Sequence, residues 1–211
     1  MTAGCCDHNP EPDTSRIILW LALAINAAMF VVEIVAGAIA GSVSLHADAL
    51  DFLADSFNYA ISLAVIGFAL SWRARAAMLK GVTMAVLGVW VIGEVIWQIV
   101  SGRMPEPLVM GVVGIAALLA NAGVAVMLYR FRSAESNLRS AWICSRNDVL
   151  GNLAVLLAAV GVLGTGTLWP DVIVATIMAG LAIQGSWAVM RQSLGELNGA
   201  STANAAESGH S

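Results

Sequence analysis

Charge is what this sequence has least of. Of 211 residues only 11% are Asp, Glu, Lys or Arg, less than half the ~25% of an ordinary soluble domain. Hydrophobic residues make up 59%, and so much apolar surface has to face lipid, which excludes a soluble globular fold. Basic residues are too few for a nucleic-acid surface: the net charge is -4 and no basic patch exists beyond short loops. Cysteine is also scarce. Three cysteines, two of them adjacent at positions 5 and 6, give no disulfide framework. The alternating polarity of membrane β-strands is missing, so a barrel is excluded. Residues 1–15 lack the basic start and small-residue cleavage site of a signal peptide, and the apolar run behind them is too long for one. The first helix is therefore expected to stay uncleaved. No internal repeat is visible.

What remains is a set of long Ala/Val/Leu/Ile/Gly runs. A membrane crossing needs about 20 mostly apolar residues, because the hydrocarbon layer is about 30 Å thick and a helix rises about 1.5 Å per residue. Six crossings are read, over residues 16–40, 46–71, 77–101, 107–131, 140–163 and 170–192. The fold class is all-α, a polytopic membrane protein. Residues 1–15 form an N-terminal tail, 16–192 a six-helix transmembrane domain, and 193–211 a short tail of Ala, Ser, Asn and Gly expected to be disordered. Arg16, Arg73, Arg75, Lys80, Arg130, Arg132, Arg139 and Arg191 fall on one side and Arg103 on the other. By the positive-inside rule both termini are cytoplasmic, in a plasma (inner) membrane. Trp72, Trp97, Trp142 and Trp169 lie near expected interfaces, where aromatic anchors collect.

Charged side chains at mid-membrane cost about 2.5 to 3.5 kcal/mol on insertion scales, so they mark function by default. Here they cluster. The second helix carries Asp48, Asp51 and Asp55, followed by Asn58; at about 100° per residue the aspartates share one face, while His46 points away. In the fifth helix Cys144, Asp148 and Asn152 recur at every fourth residue. The two helices run in opposite directions, so counting depth from the helix ends sets Asp51 level with Asp148 and Asp55 level with Cys144. Two such pairs can place four ligands tetrahedrally, the geometry Zn²⁺ prefers with sulfur, nitrogen and carboxylate donors.

At these segments the sequence resembles the cation diffusion facilitator family of zinc transporters. The resemblance rests on six helices, Glu33-xxx-Gly37, Gly-Ser-Val-Ser-Leu-His-Ala-Asp at 41–48, and the Asp51/Asp55 pair. In that family Asp or His followed four residues on by Asp in the second helix, and His-xxx-Asp in the fifth, form the transport site of a metal/proton antiporter. The resemblance thus implies a metal site at Asp51, Asp55, Cys144 and Asp148. It also implies transport rather than enzymatic catalysis, with export of a divalent cation in exchange for protons and no prosthetic group. Two departures stand out. Cys144 replaces the family's histidine, and a thiolate turns preference toward Zn²⁺, Cd²⁺ or similar ions. The family's common cytoplasmic domain has no counterpart in these 211 residues, so the chain is read as a short form whose homodimer would use the membrane domain. A non-transporting membrane partner of a larger metal-handling assembly is the alternative, and an ion channel a third.

Other polar residues divide between chemistry and packing. Asp48 serves either as a metal relay or as a helix-packing hydrogen bonder, and Glu33 either faces the site or is a structural acid. Asn152 extends the fifth-helix stripe toward the site. His46 reads as interfacial, and Glu94 has no motif behind it. Arg146 is expected to snorkel or to pair with an acid. Asp171, after Pro170, reads as first-turn chemistry at a helix N-terminus. Cys5, Cys6 and His8 offer thiolates and an imidazole suited to capturing metal on the cytoplasmic side, or form an untethered tail. Gly37 and Gly41 read as close-packing residues.

Overall fold

The computed structural model describes the backbone of residues 12–64, 70–131 and 136–208, and the side chains of 16–64, 75–130, 148–195 and 197. These residues form six α-helices: α1 Pro12–Ala40, α2 Val43–Ala64, α3 Leu70–Ser101, α4 Pro107–Phe131, α5 Ser136–Thr165 and α6 Trp169–Ser208. No strand occurs among the described residues. Cys5, Cys6 and His8 of the N-terminal tail lie outside them. The disorder expected after residue 192 does not hold for 193–208, which continue α6 as helix. Ala200, Ala203, Ala205 and Ala206 have high intrinsic helix propensity, and a helix already running needs no new nucleus to extend.

Three tight connections sit at one end of the bundle, each turned by a glycine in the left-handed region: Gly41 (φ 64°), Gly102 (φ 65°) and Gly166 (φ 60°). Ser42 N–H bonds to Gly37 C=O at 3.0 Å, closing α1 with a Schellman motif that allows the two-residue passage into α2. Gly102 and Gly166 return single bonds to Gln98 and Val162, at 3.0 and 2.9 Å. This is the turn end of the bundle, and the opposite end, where α1 starts, is the terminal end.

Helix α3 runs along α6, α4 along α5 and α1 along α2, while α2 touches α1, α3, α5 and α6. That central position explains its composition. Five helices are long and apolar enough to cross a membrane by themselves, and α2, with its aspartates and histidine, is not among them. Instead, every residue from Ser42 to Leu50 is buried, so neighbouring helices rather than lipid surround its polar groups. The outer faces are apolar: Val31, Val86, Val112, Leu119, Leu157 and Leu181 are each more than half exposed, the reverse of a soluble protein. Trp97 and Trp169 are exposed in the same way. The molecule is a multi-pass, all-helical membrane protein.

Candidate metal centre

Helical periodicity alone puts Asp48, Asp51 and Asp55 on one stripe of α2. Packing then brings α5 against that stripe at Gly151. A Cβ on Gly151 would stand 3.5 Å from Asp51 Oδ2, 3.8 Å from Asp48 Oδ1 and 3.4 Å from Met178 Cε. The missing side chain is what lets the α5 backbone approach two carboxylates. One turn earlier on α5, the Asp148 carboxyl meets that of Asp55, with Asp51 and then Asp48 acting on it from farther along the stripe.

This register differs from the depth count. Asp148 sits beside Asp55, where Cys144 was expected, and the level of Asp51 is occupied by Gly151. The count assumed helices beginning at 46 and 140, whereas α2 begins at Val43 and α5 at Ser136, and closest approach is fixed by the residue with no side chain. Cys144 lies in α5 one turn before Asp148; its side chain, like that of Arg146, is outside the described residues. Among the described residues no three His, Cys, Asp or Glu groups are already arranged to hold a metal ion.

Asp55 is oriented from three sides. Tyr59 Oη donates to its Oδ2 at 2.9 Å, and Asn58 Nδ2 lies 3.5 Å from its Oδ1. Lys80 Nζ of α3 in turn donates to Asn58 Oδ1 and acts on the Asp55 carboxylate as a nearby positive charge. Lys80 is the chain's single lysine, and its position counted only toward topology in the sequence. Its contact with the acidic stripe and that of Tyr59 emerge from tertiary packing, although Tyr59, four residues after Asp55, falls on the same helix face.

A cavity of about 520 Å³ adjoins the cluster. It runs from Asp51, Asp148 and Gly151 past Lys80 to Ser186 and Val189, toward the terminal end. On the other side of the stripe Glu33 is fully buried and faces Asp48, but neither of its carboxyl oxygens completes a hydrogen bond. Among the described residues, Asp48 Oδ2, Asp148 Oδ2 and both side-chain polar atoms of Asn152 are likewise buried without partners. Buried polar atoms are normally satisfied, so the oxygens among these atoms are a concentration of acceptor lone pairs that a cation or protons would complete.

Asp171 does perform helix-terminus chemistry, but for another helix. From the first turn of α6 its carboxylate accepts from Val43 N–H at 3.0 Å and Ser44 N–H at 3.1 Å, capping α2. Ser42 Oγ and Gln98 Nε2 donate to it at 2.7 and 3.1 Å. Gly37 and Gly41 have the packing role expected of them. A Cβ on Gly37 would come within 2.3 Å of the His46 ring, and one on Gly41 within 2.6 Å of Arg103 Nε.

Known proteins agree with this architecture. The chain is 28% identical over 204 residues to the zinc transporter ZitB of Escherichia coli, covering 90% of the chain and 64% of that protein. It is 24% identical over 206 residues to the metal cation efflux system protein CzcD of Cupriavidus metallidurans, covering 92% and 65%. A cadmium, cobalt and zinc/H⁺-K⁺ antiporter of Bacillus velezensis matches at 24% identity over 206 residues, covering 89% and 64%. The chain thus spans just under two thirds of the length of these curated relatives. Residues 19–198 match the family model described as the cation efflux transmembrane domain. With six helices around a buried aspartate stripe, the chain belongs to the cation efflux transmembrane domain family.

Proposed function

We propose that this protein carries a divalent metal cation, Zn²⁺ foremost and Cd²⁺ next, out of the cytoplasm in exchange for protons. The observation that carries the reading is the set of buried, unpartnered oxygens on Glu33, Asp48 and Asp148 beside Asp51 and Asp55, on a cavity leading toward one end of the bundle. Carboxylates enclosed together repel one another, and either a divalent cation or protons relieve that repulsion. One oxygen set can therefore hold metal in one half-cycle and protons in the other. The names of the relatives, a zinc transporter and a cadmium, cobalt and zinc/H⁺-K⁺ antiporter, support both cargoes.

In this reading Asp51, Asp55, Cys144 and Asp148 are the metal ligands. Tyr59, Asn58 and Lys80 orient Asp55. Asp48, Glu33 and Asn152 form a buried relay for protons behind the ligands. Both termini face the cytoplasm, so the cavity leading to the terminal end is the cytoplasmic approach, and Cys5, Cys6 and His8 concentrate metal near it. Two copies would associate through the apolar helix faces within the plasma membrane. The work of the site is transport rather than catalysis.

The test is reconstitution of the purified chain alone in liposomes with a metal-sensing dye inside. Zn²⁺ flux that rises with an opposing proton gradient supports exchange. Flux indifferent to that gradient overturns the exchange, and absence of flux from the correctly inserted chain favours a non-transporting partner subunit instead.

A further inference from the structure

We propose that His46 and Glu94 form a proton-binding site at the turn end of the bundle, distinct from the aspartate stripe, whose protonated form clamps α2 to α1 and α3. His46 leaves the aspartate face of α2 and is buried. Its Nδ1 contacts Glu94 Oε2 of α3, and its Nε2 lies 3.2 Å from the Ile34 carbonyl of α1. Carboxylate and carbonyl oxygens both accept and cannot donate, so each contact is a hydrogen bond only when that ring nitrogen carries hydrogen. Both bonds together require one proton more than a neutral ring and an ionised Glu94 hold between them, carried as the imidazolium or as a Glu94 O–H that donates to Nδ1; without it one of the two bonds is given up.

Two further features suit the charged ring. Its centroid lies 5.1 Å from that of Trp90, tilted by 37°, within the range of cation–π attraction. Gly37 leaves open the volume the ring fills, since a Cβ there would overlap it at 2.3 Å. A small cavity of about 70 Å³, lined by His46, Glu94, Trp97, Gln98 and Arg103, adjoins the pair, and is large enough for a water that could deliver a proton. Glu94 and His46 both line this cavity, which is the route the proton takes in this proposal.

The charged neighbours divide clearly. Glu94 on α3 contacts the ring, and Arg103 in the α3–α4 connection lines the same cavity. On α1, Glu33 faces Asp48 of α2. On α6, Asp171 is engaged by Ser42, Val43, Ser44 and Gln98. On α5, the Asp148 carboxyl lies against Asp55. The clamp therefore answers to a proton at the turn end and not to the metal ligands.

Resting on the exchange reading, the clamp has a direction. A proton taken up at the turn end, the external face in this topology, ties down the first turn of α2 while the large cavity leads to the opposite face. Loss of that proton frees one of the two ties and lets the turn end part.

Fluorine NMR of the full chain in lipid nanodiscs, labelled with fluorotryptophan and kept metal-free with chelator, reads the clamp without requiring transport. The Trp90 signal is identified among the seven tryptophans by Trp90→Phe. The expected result is a single pH titration of the Trp90 signal that disappears in His46→Gln and persists in Asp55→Ala. A Trp90 signal indifferent to pH, or a titration that survives His46→Gln, overturns the proposal. Should His46→Gln fail to fold, Glu94→Gln at the more exposed position must move the titration midpoint, and an unmoved midpoint overturns it equally. In liposomes, His46→Gln should bind Zn²⁺ as before and keep the proton drive supplied by the stripe, while the step in flux at the external pH of the Trp90 midpoint disappears; a step that remains in His46→Gln overturns the coupling. A wild-type chain without proton-coupled flux would defeat the exchange reading and leave the NMR result standing on its own.

Discussion

Gly151 of α5 faces Asp51 of α2 so closely that a single added methyl would stand 3.5 Å from a carboxylate oxygen. That separation is ordinary van der Waals contact, so Gly151→Ala should fold, insert and retain most Zn²⁺ flux. A β-branched side chain has no such room between Asp51, Asp48 and Met178. Gly151→Val should lower flux by about tenfold or more, equivalent to about 1.4 kcal/mol of lost ligand placement. Liposome flux and calorimetric Zn²⁺ binding check both variants, and a fully active valine variant would show that α5 need not approach the stripe.

Removal of a carboxylate of the proposed ligand set should be far more severe. Asp55→Ala should abolish transport with the protein still inserted, because in this reading it takes away a charged ligand and leaves Asp148 facing Asp51 and Asp48 without it. Asp51→Ala and Asp148→Ala should behave alike. Asp48→Asn should slow flux and keep Zn²⁺ binding, since Asp48 lies behind the ligands with Glu33. Calorimetry separates the two classes, and loss of binding in Asp48→Asn would promote it to a direct ligand.

Tyr59→Phe tests the orientation of Asp55. The ring is 1% exposed, so the apolar packing survives while the hydroxyl bond to Asp55 Oδ2 is lost. Partners that orient metal ligands are worth about 10–100-fold in affinity, and a weakening at the lower end of that range is expected for one bond of several. Zn²⁺ affinity unchanged in Tyr59→Phe would place Asp55 outside the metal shell.

Asp171 makes a prediction about stability rather than transport. Asp171→Ala strips the cap from α2 and leaves Val43 N–H and Ser44 N–H buried without their acceptor, while Gln98 Nε2 keeps the Gly41 carbonyl and Ser42 Oγ the Ser44 hydroxyl. Losing a helix cap costs about 1 kcal/mol and hydrogen bonds to a charged group about 1.5–3 kcal/mol, so unfolding in detergent should move to clearly lower temperature. Zn²⁺ affinity should change little, because the cap lies at the turn end.

The division between what was legible and what was not has physical causes. Apolar runs of membrane-spanning length mark helices whatever they pack against, so the α4 range of 107–131 could be read directly. The 3.6-residue period likewise puts Asp48, Asp51 and Asp55 on one face before any neighbour is known. Register between helices is different, because it depends on local closeness of approach, and Gly151 carries no signal of its own in a chain with 20 glycines. Capping of α2 by Asp171 joins residues 127 apart, and the His46–Glu94 pair joins residues 48 apart. Neither is written in local spacing. Over 193–208 the Ala, Ser, Asn and Gly composition carries no apolar stripe to mark a helix, although the long preceding helix extends into it.

Cys144 carries the sharpest prediction, since it is the one proposed ligand that is not a carboxylate. On the α5 backbone it precedes Asp148 by one turn, and Asp148 lies against Asp55, so a ligand at 144 would close the set from the terminal-end side, along the cavity that metal would use. A thiolate binds Zn²⁺ at about 2.3 Å, gives up its proton on binding and is softer than imidazole. Cys144→His should therefore keep Zn²⁺ transport, because four ligands survive, and should lower Cd²⁺ transport relative to Zn²⁺. Cys144→Ser should damage both, as a neutral hydroxyl is a poor ligand for either ion. Paired dye-based flux measurements with the two metals in the same liposomes give the ratio directly. Were Cys144→Ala to carry both ions at the original ratio, the thiol would stand outside the metal shell, and the site would have to be built from Asp48, Asp51, Asp55 and Asp148.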